Sequence, residues 1–204
     1  LAGYDSRDAH SASVFAIRVS VDDYRLHAWG ATFGWHDRVE LSAAHLTFDL
    51  TDTAFEISQN VYGAKVRITG DVIYSSQPQI SAGLQYKELQ DTTLAEAVGA
   101  KDFDNGTDFY VTATKAHLGA AFGYNLLWNL TLRATRANQF GLLGFGGDNN
   151  DSYELMGEGS LALLLSRSLA LGVEYRQKPD NLGFAEEEDA ADIFVAYIPN
   201  KHFN

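Results

Sequence analysis

The 204-residue chain has no cysteine, three prolines and one methionine. Without cysteine there is no disulfide framework and no thiolate chemistry. Scarce proline beside 18 glycines and 12% aromatic residues fits a β protein: proline removes a strand hydrogen bond, whereas aromatics favour the pleated surface. Long apolar runs are missing too. Runs such as 161–165 fall far short of the roughly 20 apolar residues that a membrane-spanning helix needs. That excludes a helical membrane protein but not a membrane barrel. Barrel strands alternate apolar-out with polar-in, so a mean hydropathy of −0.18 is compatible with one. A basic surplus is also lacking. With 27 acidic against 15 basic residues the net charge is −12, the wrong sign for a nucleic-acid partner. The chain opens LAGY, without the basic and apolar regions of a secretory leader. The expectation is that a leader has been removed and that strand segments are missing at both ends.

What is present is period-2 alternation in segments of about ten residues, the signature of half-buried strands. In 61–74, Tyr62, Ala64, Val66, Ile68, Val72 and Tyr74 oppose Gly63, Lys65, Arg67, Thr69 and Asp71. In 169–178, Leu169, Leu171, Val173 and Tyr175 oppose Gly172, Glu174, Arg176 and Lys178. In 126–136, Trp128, Leu130, Leu132 and Ala134 oppose Asn129, Thr131, Arg133 and Thr135, and in 12–21, Phe15, Ile17, Val19 and Val21 oppose Ala16, Arg18 and Ser20. Weaker copies cover 24–35, 39–50, 79–89, 107–118, 153–165 and 189–198, giving about ten strands. In 24–35 and 39–50 the apolar phase switches midway, from Leu26 to Trp29 and from Leu41 to Leu46, which predicts a β-bulge in each.

The connections alternate in length. His36–Arg38, Ser75–Pro78, Gly119–Asn125 and Ser166–Ser168 are short; 51–60, 90–106, 138–152 and 179–188 are long; only Asp22–Asp23 breaks the rhythm. Short turns on one side and long loops on the other are how outer-membrane barrels are built. The acidity collects in or beside the long loops, at Asp91, Glu96, Asp102, Asp104, Asp108, Asp148, Asp151, Asp180, Glu186, Glu187, Glu188 and Asp189. Aromatics near strand ends, Tyr24, Trp35, Tyr62, Tyr74, Tyr153 and Tyr197, suit interfacial girdles.

Five strings carry a resemblance: VYGAKVRITGD at 61–71, GAKDFDNGTDFYVTATK at 99–115, NQFGLLGFGGD at 138–148, RQKPDNLGFAEE at 176–187 and YIPNKHF at 197–203. Together they resemble an uncharacterised family of Gram-negative outer-membrane proteins, known as a domain of unknown function. The resemblance covers nearly the whole chain. It implies a secreted barrel with no established substrate and with strands beyond both ends of this sequence. The fold expected is therefore all-β: an antiparallel up-and-down transmembrane β-barrel in the bacterial outer membrane. About ten strands lie in this chain and roughly 12–14 in the complete barrel.

Strand phase nominates Arg18, Lys65, Arg67, Asp71, Gln85, Lys87, Arg133, Glu154, Glu158, Glu174, Arg176 and Lys178 as lumen-lining. Two readings stand side by side: a charged lumen passing small polar solutes or ions, porin-like, or salt-bridged filling of a closed structural or surface-binding barrel. The glycine-rich loop 139–148 carries Phe140, Leu142, Leu143 and Phe145. It is too apolar for an exposed loop and is expected to act as a constriction or plug. The acidic groups around Asp102, Asp104 and Asp108, and at 148–151, lack the alternate spacing of a calcium loop. The six histidines (His10, His27, His36, His45, His117, His202) form no ligand pair. No serine stands out as a nucleophile beside them. The expectation is a non-enzymatic protein without cofactor or metal, whose partner is outer-membrane lipid.

Overall fold

The structure is a computed structural model and describes residues 10–20, 22, 24–50, 56–183 and 187–199. Leu1–Tyr4, Val21, Asp23, residues 51–55, Glu186 and His202 lie outside the described residues. Ten strands form one sheet: β1 (His10–Ser20), β2 (Tyr24–Trp35), β3 (Val39–Leu50), β4 (Glu56–Thr69), β5 (Gln79–Leu89), β6 (Asn105–Ala121), β7 (Tyr124–Thr135), β8 (Glu154–Leu164), β9 (Leu169–Arg176) and β10 (Ala190–Tyr197). Each strand pairs antiparallel with the next, in the order β1 to β10, so the sheet is an all-β up-and-down meander. The short helix α1 (Thr93–Ala97) lies in the β5–β6 connection. The sheet curls into a half-barrel: Arg133 on β7 reaches Gln85 on β5 at 2.7 Å. Among the described residues β1 and β10 are each paired on one side only.

Hairpin chemistry explains the tight ends. The β6–β7 turn has two residues, Phe122 (φ 50°) and Gly123 (φ 88°). Two positive φ values make a type I′ turn, whose twist matches the flanking strands. The β2–β3 turn, 36–38, likewise takes His36 and Asp37 into the left-handed region. The loop asymmetry holds from β5 onward. Earlier it breaks, because β4 begins at Glu56 and ends at Thr69 instead of spanning 61–74. Val72 and Tyr74 therefore belong to the β4–β5 turn, where Lys115 on β6 donates to the carbonyls of Asp71, Ile73 and Ser75.

The burial pattern is inside-out. On the convex face Val14, Leu130, Leu132, Leu155, Ile193 and Val195 are exposed, while the concave face buries Gln59, Ser81, Lys87, Asp108, Thr131 and Arg133. In a water-soluble sheet the opposite distribution lowers the free energy, by about 25 cal/mol for each Å² of apolar surface removed from water. Aromatics gather at both ends of the convex face. Trp29, Tyr62, Tyr86, Phe109, Tyr153 and Tyr175 stand toward the long loops, and Trp35, Phe122, Tyr124 and Tyr197 toward the short turns. Tyr24 is not among them. It sits opposite Leu50 and stacks on Phe48, on the concave side.

The two expected β-bulges do not occur. β1–β2, β2–β3 and β3–β4 pair without a register break. The irregularities fall instead between Arg67 and Thr69 and between His117 and Ala121. The phase switch has another cause: the polarity of the two faces reverses along unbroken strands. Toward the long loops the convex rows read Arg25–Asp49–Glu56, His27–Thr47–Ser58 and His45–Asn60–Glu88, all polar. There the concave side carries Leu26, Phe48 and Ile57. Ile57, Leu89 and Ala95 form a small core with Phe48, Leu94, Ala100, Leu142 and Leu143 around it. Arg18 belongs to this reversed zone. It pairs opposite His27, on the convex face, whereas Phe15, Ile17 and Val19 face Gly30, Ala28 and Leu26 on the concave face.

Candidate functional site

The concave wall is built in layers. Nearest the long loops lies segment 137–147, held inside the half-barrel. Asn138 and Asn181 are fully buried. Asn138 donates to the carbonyls of Leu143 and Gly146 and accepts from Asn181, which also donates to the carbonyl of Arg136. Phe145 is 1% exposed, and its backbone exchanges two hydrogen bonds with Asp102. Gly106 makes the seat for that ring: a Cβ there would meet Phe145 Cδ1 at 2.2 Å. Phe140 lies under the Arg176 guanidinium at 4.3 Å, with the Lys178 ammonium at 5.7 Å. Gln139 (φ 43°) and Phe140 (φ 64°) are left-handed without being glycine, a conformation that costs about 1–3 kcal/mol each and persists only when surroundings impose it. Glu187 supplies part of that imposition, accepting the Gln139 N–H at 2.9 Å. Burial pushes its carboxyl above the usual range, opposed by that N–H.

Below this segment runs a band of ion pairs. Lys87 (4% exposed) meets Asp108 (1% exposed) at 2.7 Å. Arg133 binds Glu158 through Nε at 2.5 Å and Asp108 at 3.4 Å, and stacks over Tyr110. Arg176 shares Glu158 at 3.0 Å, and Lys65 meets Glu40 at 2.7 Å. Buried charges require such pairing, since an unpaired ion away from water costs several kcal/mol. Nearer the short turns the wall turns neutral. Ser81, Thr112 and Thr131 are partners across β5, β6 and β7, followed by Gln79, Thr114 and Asn129.

Lys65, Gln85, Lys87, Arg133, Glu158 and Arg176 thus come together on the concave face. Glu174 shares that face but stands apart, opposite Ser160 and Asp192. Glu154 lies at the long-loop rim, opposite Thr135, and accepts from the Asn150 amide. Arg67 closes the short-turn end by pairing with Asp37. Three nominated positions depart from the wall. Arg18 is on the convex face, as above. Asp71 is in the turn after β4, where it caps the N–H groups of Ile73 and Tyr74; those two bonds hold its carboxyl below the ordinary value. Lys178 lies past the end of β9 and donates to Gln139 Oε1 at 3.0 Å. Alternation pointed to neither Glu40 nor Asp108 as a lining residue. Asp108, grouped with the loop acids, sits on β6 facing inward, and its only sequence signal is that it shares phase with Tyr110. The loop acids are themselves spent on cations: Asp148 on Lys101 at 2.5 Å, Asp102 and Asp151 on Arg136 at 2.5 and 2.7 Å. Lys101 thereby lowers the Asp148 pKa. Among the described residues no group of three or more His, Asp or Glu is placed to hold a metal.

Among known proteins, residues 1–204 match a family described as a protein of unknown function, DUF3034. The chain belongs to that family. No curated protein and no solved structure matches it. Family membership brings no substrate, so the chemistry of this DUF3034 site rests on its own geometry: mutually neutralised charges, a seated apolar segment and a hydroxyl-lined floor.

Proposed function

We propose that this chain forms most of the wall of a bacterial outer-membrane β-barrel, and that small polar solutes or ions pass along its concave face in a porin-like manner. The observation that carries the reading is the inside-out sheet with an end to its inversion. The convex apolar stripe of β7 runs from Tyr124 to Ala134, about 34 Å at ~3.4 Å per residue. A strand inclined by about 45° would cover roughly 24 Å of bilayer height with it, against an apolar band about 25 Å tall in such barrels. The polar convex rows at Arg25, His27, Glu56 and Ser58 then stand above the lipid, where an outer surface meets water. Two aromatic belts bracket the stripe, as side chains with an apolar body and a polar tip do at membrane interfaces. Among the described residues β1 and β10 are each paired on one side only, which leaves edges at which a barrel of roughly 12–14 strands would close.

A second reading has its own support. Segment 137–147 sits inside the half-barrel, and the inward cations are paired, which suits a closed structural barrel with acidic surface loops. Conductance of the full-length protein in a planar lipid bilayer separates the two. Passage predicts discrete current steps whose ion selectivity changes in Glu154→Gln, Glu158→Gln, Glu174→Gln and Arg176→Gln. An inserted but silent barrel would leave the closed reading.

A further inference from the structure

The neutral floor of the concave wall contains a recess of about 200 Å³ between the ion-pair band and the short turns. Its lining includes Ser81, Thr112, Thr131, Asn129, Gln79 and Tyr110. We propose that this recess binds neutral, polyhydroxylated solutes of monosaccharide size. The inference rests on the passage reading and names the solute class that it favours.

Charge argues first. The two cations at the rim are already engaged, Lys65 by Glu40 and Arg133 by Glu158. An anion entering here would have to displace a carboxylate, and a cation would meet one guanidinium and one ammonium group. Neither gains enough to offset its own dehydration. Hydrogen-bonding capacity argues next. Hydroxyls both donate and accept, and the Gln79 amide adds donors and an acceptor side by side, whereas the Asn129 N–H groups are spent within the floor. The floor is ordered before any solute arrives. The Asn129 amide donates to Thr112 and Thr114 at 2.8 and 2.7 Å, and the Thr131 hydroxyl bonds Thr112 at 2.9 Å. Preorganised partners reduce the entropy lost on binding. One group is left over. The Ser81 hydroxyl is buried, 1% exposed, and has no partner among the described residues. A buried hydroxyl without a partner costs roughly 1–3 kcal/mol, which a solute hydroxyl in the recess would recover. The Tyr110 ring, which carries the Arg133 guanidinium over one face, also lines the recess.

The test uses the full-length protein in two settings. In proteoliposomes, osmotic swelling is followed with glucose, gluconate and glucosamine, solutes of similar size but different charge. In detergent solution, equilibrium dialysis measures labelled glucose bound by the wild type, by Ser81→Ala and by Thr112→Val/Asn129→Leu. Glucose is expected to enter at least about fivefold faster than either charged analogue. Its binding should weaken about two- to tenfold in Ser81→Ala, the loss of one neutral hydrogen bond, and further in the double variant. Ser81→Ala removes an unpartnered group, so it folds at least as well as the wild type, and lost binding there is not lost structure. Equal or faster entry of gluconate or glucosamine overturns the inference and leaves passage standing. No entry of any solute refutes passage, and dialysis then decides the recess alone: saturable glucose binding weakened by Ser81→Ala upholds it, and no binding overturns it.

Discussion

Leu130→Arg separates a membrane wall from a water-soluble sheet with one side chain. Leu130 lies mid-strand on β7, between Ala113 on β6 and Gly159 on β8, and is 60% exposed. In water, an arginine at so open a position changes stability by no more than about 0.5 kcal/mol. In lipid it carries a charge to near the centre of the apolar stripe, at a cost of about 2–4 kcal/mol. Glu56→Arg is the internal control. It lies on the same face but in the polar zone, opposite Asp49, where the new cation replaces a like-charged neighbour and the expected change is within about 0.5 kcal/mol of zero or stabilising. Urea titration of folding into phospholipid vesicles, read by tryptophan fluorescence, gives both differences. A Leu130→Arg penalty below about 1 kcal/mol, or equal penalties at the two positions, would refute the placement of the convex face in lipid.

Arg133→Met takes one of two cations from Glu158 and from Asp108, which keep Arg176 and Lys87, and should destabilise by about 1–3 kcal/mol, whereas Arg133→Met/Glu158→Gln should recover part of that, because the pair is neutralised together; the same titration measures both. Gly106→Val drives a side chain into the seat of Phe145 and should release segment 137–147. Faster amide hydrogen exchange at Gly144 and Phe145 is the expected result, and unchanged exchange would count against that segment's anchoring. For Glu187 the folded pKa is raised by burial, so the native state holds the extra proton and stability falls as pH climbs from the ordinary carboxylate range through the raised value. Glu187→Gln removes that dependence: its stability relative to the wild type should improve between pH 4 and pH 7 (about the window set by the ordinary carboxylate range), and a flat difference would contradict the burial argument.

The strand set was legible because alternation is a local property. β2, β3 and β5 occupy the ranges that their sequence patterns indicate. Misreadings begin where the environment of a face changes along a strand. Glu56, Ser58 and Asn60 are polar on the convex side, so β4 looked five residues shorter at its start than it is. The same reversal made Leu26 and Leu46 resemble a shifted phase and placed Arg18 on the wrong face, since apolar means outward only within the stripe. Inward polar residues such as Lys65, Lys87 and Arg133 could be named from alternation. Their partners could not, because the contacts of Lys87 with Asp108 and of Arg133 with Gln85 depend on register and curvature. The apolar composition of 139–148 signalled a packed segment. What it packs against, Ile57 and Leu89 from strands far away in sequence, was beyond any local pattern.

Because the chain has no cysteine, one introduced thiol is a unique labelling site. The most direct test of the account is spin-label accessibility at Leu132→Cys, Leu155→Cys and Met156→Cys in the full-length protein reconstituted in lipid. Leu155 is 76% exposed on the convex face, and Met156, its chain neighbour, faces inward opposite Arg133. Labels at 132 and 155 should be relaxed by lipid-soluble oxygen and shielded from a water-soluble nickel complex, with the label at 156 showing the reverse. Nickel access at 132 and 155 equal to that of a loop position such as Asp148→Cys would put the convex face in water and contradict the account.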